Sequence, residues 1–260
     1  MTSGPLGADA VGDDPGINVR LLLEYDGQRF HGWQRQPQRP TVEDEVALAL
    51  HRLTGQDPPL IPAGRTDAGA HAEGQVINFR YSGSLPPSRL MSGLNALLPT
   101  DVVVLKARAV SQFFHSRYSA RRRVYRYSWL DRRARPALDR SRVFHVRGPL
   151  DDQSMARAAL PLIGVHDWTT FCSATGPDQN RTREMAAAGI ERWGDRVDLT
   201  LVGQGFLRGL ARGLAGGLTE VGLGRRPATW MAEILEARDR SRSPKPAPAC
   251  GLTLVRVEYE

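Results

Sequence analysis

Hydrophobic positions recur along this chain with two periods, one fitting strands and one fitting helices. INVRLLLEYDG, residues 17–27, sets β-branched and apolar residues ahead of an Asp-Gly turn and predicts a strand. A polar, Pro-containing loop, RFHGWQRQPQRP, follows and carries Phe30, His31 and Trp33. Thr41 then opens a helix, because Val46, Ala49, Leu50 and Leu53 recur at helical spacing and Glu43 and Asp44 favour its first turn. GQVINFRYS reads as a strand, with Ile77, Phe79 and Tyr81 on one face. Pro87 starts a helix through Leu90, Met91, Leu94, Leu97 and Leu98, and DVVVLKARAV is the next strand.

The second half repeats this alternation. RRVYRYSWL places Tyr125, Tyr127 and Trp129 on one face of a strand, and residues 151–162 read as a helix. EMAAAGIERW and RVDLTLVG form two strands joined at Gly194-Asp195, which predicts a hairpin. QGFLRGLARGLAGGLTEVG reads as one helix, residues 228–237 as a shorter one, and GLTLVRVEYE as a closing strand. The expected fold class is α+β, with two sheet-containing halves, 17–112 and 113–260, carrying mixed or antiparallel sheets and flanking helices. Residues 1–16, rich in Gly, Pro and Asp, are expected to be a mobile tail.

Composition narrows the class. The chain has 260 residues, 41% of them hydrophobic, and no run of about 18 apolar residues that would span a membrane. No signal peptide is visible, and Cys172 and Cys250 alone make neither a disulfide framework nor a zinc site, so a cytoplasmic protein is expected. The net charge of +7 is unevenly placed. Eleven arginines against Asp131 and Asp139 lie between Arg117 and Arg147, a local +9 that leaves the remainder at −2. Such a band is the footprint of a polyphosphate partner, whereas a merely solvated face mixes both signs.

Candidate chemistry centres on AGRTDAGAHA, residues 63–72. One reading of Asp67 is a surface turn, where Asp bonds its own backbone. The other is a poised carboxylate, kept ionised by a neighbouring arginine and approached closely across Gly64, Ala68, Gly69 and Ala70. In extended backbone Arg65 projects to the same side as Asp67. The helix beginning near Phe206 has an apolar stripe, Leu207, Leu210, Leu214, Leu218 and Val221, and a separate glycine face, Gly209, Gly213, Gly216 and Gly217. Each glycine costs about 1 kcal/mol in a helix interior, which is tolerable where another backbone or a ligand packs against it. Arg208 and Arg212 lie one turn apart on the other flank, as a solvent-exposed pair would. His31, His71, His115, His145 and His166 lack metal-ligand spacing, and neither a phosphate loop nor a dinucleotide fingerprint is present, so no metal and no cofactor is expected.

AGRTDAGAHA, YDGQRFHGWQRQ, GLNALLP, FHSRYSARRRVYRY, HDWTTF and EVG together resemble the signatures of bacterial tRNA pseudouridine synthase A, the TruA family, collinearly from about residue 18 to the C-terminus. The resemblance implies isomerisation of uridine to pseudouridine at positions 38–40 of the tRNA anticodon stem-loop, by a cofactor-free homodimer with a central cleft that binds tRNA across both subunits. It makes Asp67 the catalytic nucleophile, acting at the ribose or at C6 of the uracil. Tyr125 would stack on the target base, Arg212 would pair with Asp67, and Arg65 would help hold the nucleotide. Trp33, Gln34, Arg35, Arg117, Arg121, Arg122, Arg123 and Arg126 are the expected RNA contacts. FLRGLARGLAG lacks the Met-Val usual before the helix arginine, and TVEDE stands where TVQ is commoner. RTREM likewise departs from the run usual after the RT pair near Arg181. Two other classes are compatible with the residues alone: a tRNA-binding protein without catalysis, and a retaining glycosidase, which needs a second carboxylate, here only Glu73.

Overall fold

A computed structural model describes residues 16–173 and 180–259; all but Gly16 of the expected N-terminal tail lies outside the described residues. The first half runs β1 (Ile17–Tyr25), α1 (Val42–Thr54), β2 (Ile61–Pro62), β3 (His71–Tyr81), α2 (Pro87–Leu97) and β4 (Val102–Val110). The second runs β5 (Arg122–Asp131), β6 (Phe144–Val146), α3 (Asp152–Ala159), β7 (Gly164–Asp167), β8 (Thr182–Trp193), β9 (Arg196–Gly203), α4 (Leu210–Gly222), α5 (Trp230–Ala237) and β10 (Leu252–Glu258).

Local signals explain most boundaries. Thr41 caps α1 by accepting the Asp44 N–H at 3.2 Å, and Gly55, at φ 71°, ends the helix in the left-handed conformation. The β8–β9 hairpin turns through Gly194 and Asp195 as the pattern predicts. β2, β6 and β7 are only two to four residues long, too short for an alternation to register. α4 begins at Leu210 rather than near Phe206, because Gly209 adopts φ 78° and keeps the preceding residues out of the helix. Among the described residues no helix is long and apolar enough to cross a membrane.

The expectation of a separate sheet in each half is corrected. The strands form one mixed sheet ordered β4-β1-β3-β10-β5-β9-β8-β7, with β2 on β3 and β6 on β5 at its margins. The closing strand makes it continuous: β10 runs parallel to β3 and antiparallel to β5, using both of its hydrogen-bonding edges. Each half still supplies an unbroken run of strands, with the join between β3 and β10.

The glycine face of α4 is met by backbone. A Cβ at Gly213 would lie 2.4 Å from the Phe171 carbonyl oxygen, and one at Gly216 2.0 Å from that of Lys245. Helix and loops therefore approach more closely than any side chain allows. Tyr127, Trp129 and Trp168 fill the core, and the Trp129 indole donates to Thr219 Oγ1 of α4 at 2.9 Å.

Candidate active site

The loop between β2 and β3 carries Asp67, and its neighbours pin it residue by residue. Gln75 donates to the Gly64 carbonyl at 2.7 Å, and Thr66 Oγ1 meets the Tyr25 hydroxyl at 2.8 Å. The Trp33 N–H donates to the Thr66 carbonyl, the Gly69 N–H to that of Phe30, and the Ala70 N–H to that of Asp67. Gly32, at φ 87°, lets the 30–33 segment reach this loop, since a Cβ there would sit 2.5 Å from the Thr66 oxygen. His71 ties the same motif to two other segments: Nδ1 accepts the Gly27 N–H at 3.0 Å, and Nε2 lies 2.8 Å from the Ser141 carbonyl oxygen, where it donates.

Arg212, 145 positions away, comes to Asp67. Its Nη1 lies 3.2 Å from Asp67 Oδ2, with both side chains about one-quarter exposed. The arginine is itself held, because its Nε donates to the Ala247 carbonyl at 2.8 Å and the Ala247 N–H donates to its own carbonyl at 2.9 Å. Asp67 Oδ1 makes no hydrogen bond among the described residues, so one carboxylate oxygen is braced and the other is available to react. The turn reading of Asp67 holds for the backbone alone: the Ala70 N–H closes a turn on the Asp67 carbonyl, while the side chain bonds Arg212 rather than its own backbone.

Tyr125, on β5, is 6% exposed and its hydroxyl lies beside Gly64, where a Cβ would be 3.6 Å away. Phe206 packs edge-on against its ring, with centroids 4.7 Å apart at 65°. Burial pushes the phenol up to about 12, an effect nearby Arg123 opposes and Asp67 reinforces. It is therefore protonated near neutral pH. Phe206 was not among the expected site residues; its one signal is an aromatic residue in the segment just before α4.

Two expected RNA contacts are corrected. Trp33 is 1% exposed and belongs to the core, 6.4 Å from the Tyr25 ring centroid, so its side chain cannot stack on a base. Arg123 is 8% exposed and spends its guanidinium on four carbonyls, those of Ala63, Arg117, Ala120 and Gln204. These belong to the lead into the Asp67 loop, the FHSRYSA segment and the exit of β9 toward α4. Arg123 is thus a buried strut across the segments that carry the site, and burial lowers its pKa. Its position was legible: strand alternation puts Arg123 on the same side as Tyr125, Tyr127 and Trp129.

The other expected contacts are at the surface. Arg65 is exposed and makes no ion pair with Asp67. Gln34, Arg35, Arg117, Arg121 and Arg122 are exposed, Arg35 bonded to Asp44 at 2.5 Å and Arg117 5.5 Å from the Tyr118 ring centroid. Arg126 pairs with Glu73, which commits the one carboxylate considered as a second glycosidase acid. Glu43, standing in TVEDE, accepts the Arg35 N–H at 2.7 Å and so anchors the exposed turn. Among the described residues no group of three His, Cys, Asp or Glu is placed to hold a metal.

The mixed sheet thus brings one aspartate, one arginine and one buried tyrosine together from both halves of the chain. The family model described as tRNA pseudouridine synthase matches residues 22–119 and 158–260, and the chain belongs to that family. Within it, the chain is similar to proteins named tRNA pseudouridine synthase A. That of Moorella thermoacetica is 42% identical over 243 residues, covering 93% of this chain and 99% of the relative. That of Acetivibrio thermocellus is 40% identical over 242 residues with the same coverages, and that of Myxococcus xanthus is 42% identical, covering 93% and 91%.

Proposed function

We propose that this protein isomerises uridine to pseudouridine in tRNA, at positions 38–40 of the anticodon stem-loop, with Asp67 as the catalytic residue. The observation that carries this is the Asp67–Arg212 pair, built from residues 145 positions apart and flanked by Tyr125. In the reaction the N1–C1′ bond breaks, the uracil turns, and a C5–C1′ bond forms. C5 gives up a proton and N1 ends with one, so nothing is consumed and no cofactor is required. Asp67 Oδ1 is the oxygen free to act, at the ribose or at C6, while Arg212 fixes the other. Tyr125 bounds the base, and its protonated hydroxyl can relay the proton leaving C5, accepting it on oxygen only as it hands its own proton on to a second acceptor.

The target base must leave its stack to reach Asp67, at a cost of a few kcal/mol that phosphate contacts offset. Arg65, Arg117, Arg121, Arg122, Arg126, Gln34 and Arg35 are the residues assigned to those contacts. The halves 17–112 and 113–260 form the two sides of a central cleft, Asp67 coming from one and Tyr125 and Arg212 from the other. The enzyme works as a homodimer in the cytoplasm and binds tRNA across both subunits. Tritium release from tRNA carrying 5-labelled uridine tests the reading. Stoichiometric release is expected, and tRNA binding without any release would leave a binding protein only.

A further inference from the structure

Arg212, Gly216 and Glu220 follow one another at intervals of four on α4, so they share one side of the helix and span about 12 Å of its axis. The far end of that line opens on a hollow of about 560 Å³ between α4, α5 and residues 241–245. Arg226, Arg242 and Lys245 line it together with Trp230, and all three cations are exposed. Among the described residues none of the three is ion-paired with a carboxylate. Glu220, the one acid in the lining, is taken by Arg225 at 3.0 Å, and Arg226 lies over the Trp230 ring, 5.1 Å from its centroid. Other arginines of this chain are paired, as Arg29 is with Asp101 and Arg192 with Asp131 and Asp152.

We propose that this hollow is a second contact for the sugar–phosphate backbone of the tRNA, separate from the Arg117–Arg147 band. Three exposed cations around a concave space, with the Asp239 carboxylate offsetting part of the charge of Arg242, make a net positive potential that selects phosphate oxygens. The hollow is also joined to the catalytic pair by a short stretch of chain. Lys245 lines it, and two residues on Ala247 holds Arg212 by two hydrogen bonds. The chain from Lys245 to Ala247, which covers α4 at Gly216, thus has one end in the hollow and the other on Arg212. The inference rests on the reading of tRNA as the substrate.

The test is equilibrium binding of an unmodified tRNA transcript to the full-length Arg226→Ala/Arg242→Ala/Lys245→Ala variant over a series of KCl concentrations. Affinity is expected to fall tenfold or more, and the slope of log K against log salt to flatten by about 2 to 3, near one per lost phosphate contact. Should the triple variant fold poorly, Arg242→Ala and Lys245→Ala, each at an exposed position, are each expected to flatten it by about one. Wild-type affinity and slope in the variants would overturn the inference. Because binding is read without turnover, that failure would leave the tritium assay standing, and a failed tritium assay would leave the slope measurable.

Discussion

Replacing Arg123 by methionine removes a buried cation that four carbonyls hold and that no carboxylate among the described residues pairs with. The contacts to Ala63, Arg117 and Gln204 are short, while that to Ala120 is 3.4 Å and weak. Three charge-assisted bonds at about 1.5–3 kcal/mol each would contribute roughly 5–9 kcal/mol. Relief from burying the guanidinium returns several kcal/mol of that. A net loss of about 3 kcal/mol follows, a large share of the 5–15 kcal/mol typical of a folded protein. With a urea m-value of about 3 kcal/mol/M, the unfolding midpoint read by tryptophan fluorescence should fall by about 1 M. Turnover should drop at least tenfold even where the variant is fully folded, because the Ala63 and Gln204 anchors flank Asp67 and Arg212. Arg123→Lys keeps the charge but presents its donors from one atom, so it should recover only part of both losses. A methionine variant with the wild-type midpoint and kcat would refute the strut.

Gly216→Ala places a methyl 2.0 Å from the Lys245 carbonyl oxygen, which cannot rotate away. It should destabilise the fold by about 1–3 kcal/mol and lower kcat through Ala247 and Arg212, as read by thermal unfolding and turnover. Tyr125→Phe should preserve packing and slow tritium release by about a hundredfold, the scale of general acid–base assistance. Equal rates would confine Tyr125 to packing and stacking. Burial pushes the Tyr125 and Tyr259 phenols up to about 12, so between about pH 10 and 12 an unfolded chain loses protons that the fold keeps. Their contribution to stability is complete below about pH 10 and lost as the pH rises through 12. Urea midpoints should therefore be level from about pH 8 to 9 and fall above 10.

What was legible in the sequence had local causes. Thr41 and Gly55 bound α1, and Gly194-Asp195 turns the β8–β9 hairpin, each through a preference of the residue itself. The single sheet was hidden because β10 pairs with β3, from which it is separated by most of the chain, and no local pattern encodes that neighbour. Arg123 and Arg122 look alike in ARRRVYRY, yet one is buried and the other exposed; only the parity of β5 separates them. Trp33 sits in a polar loop, so nothing around it signalled that its ring turns inward. The salt bridge of Asp67 to Arg212 came from resemblance rather than pattern, since each residue alone fits an ordinary surface role.

The most direct measurement is pseudouridine mapping by primer extension on a tRNA transcript treated with wild-type protein and with Asp67→Asn. Wild type should place pseudouridine at positions 38–40, and Asp67→Asn should form none while binding the transcript with wild-type affinity. Pseudouridine formed at the wild-type rate by Asp67→Asn would contradict the assignment of Asp67 as the catalytic residue.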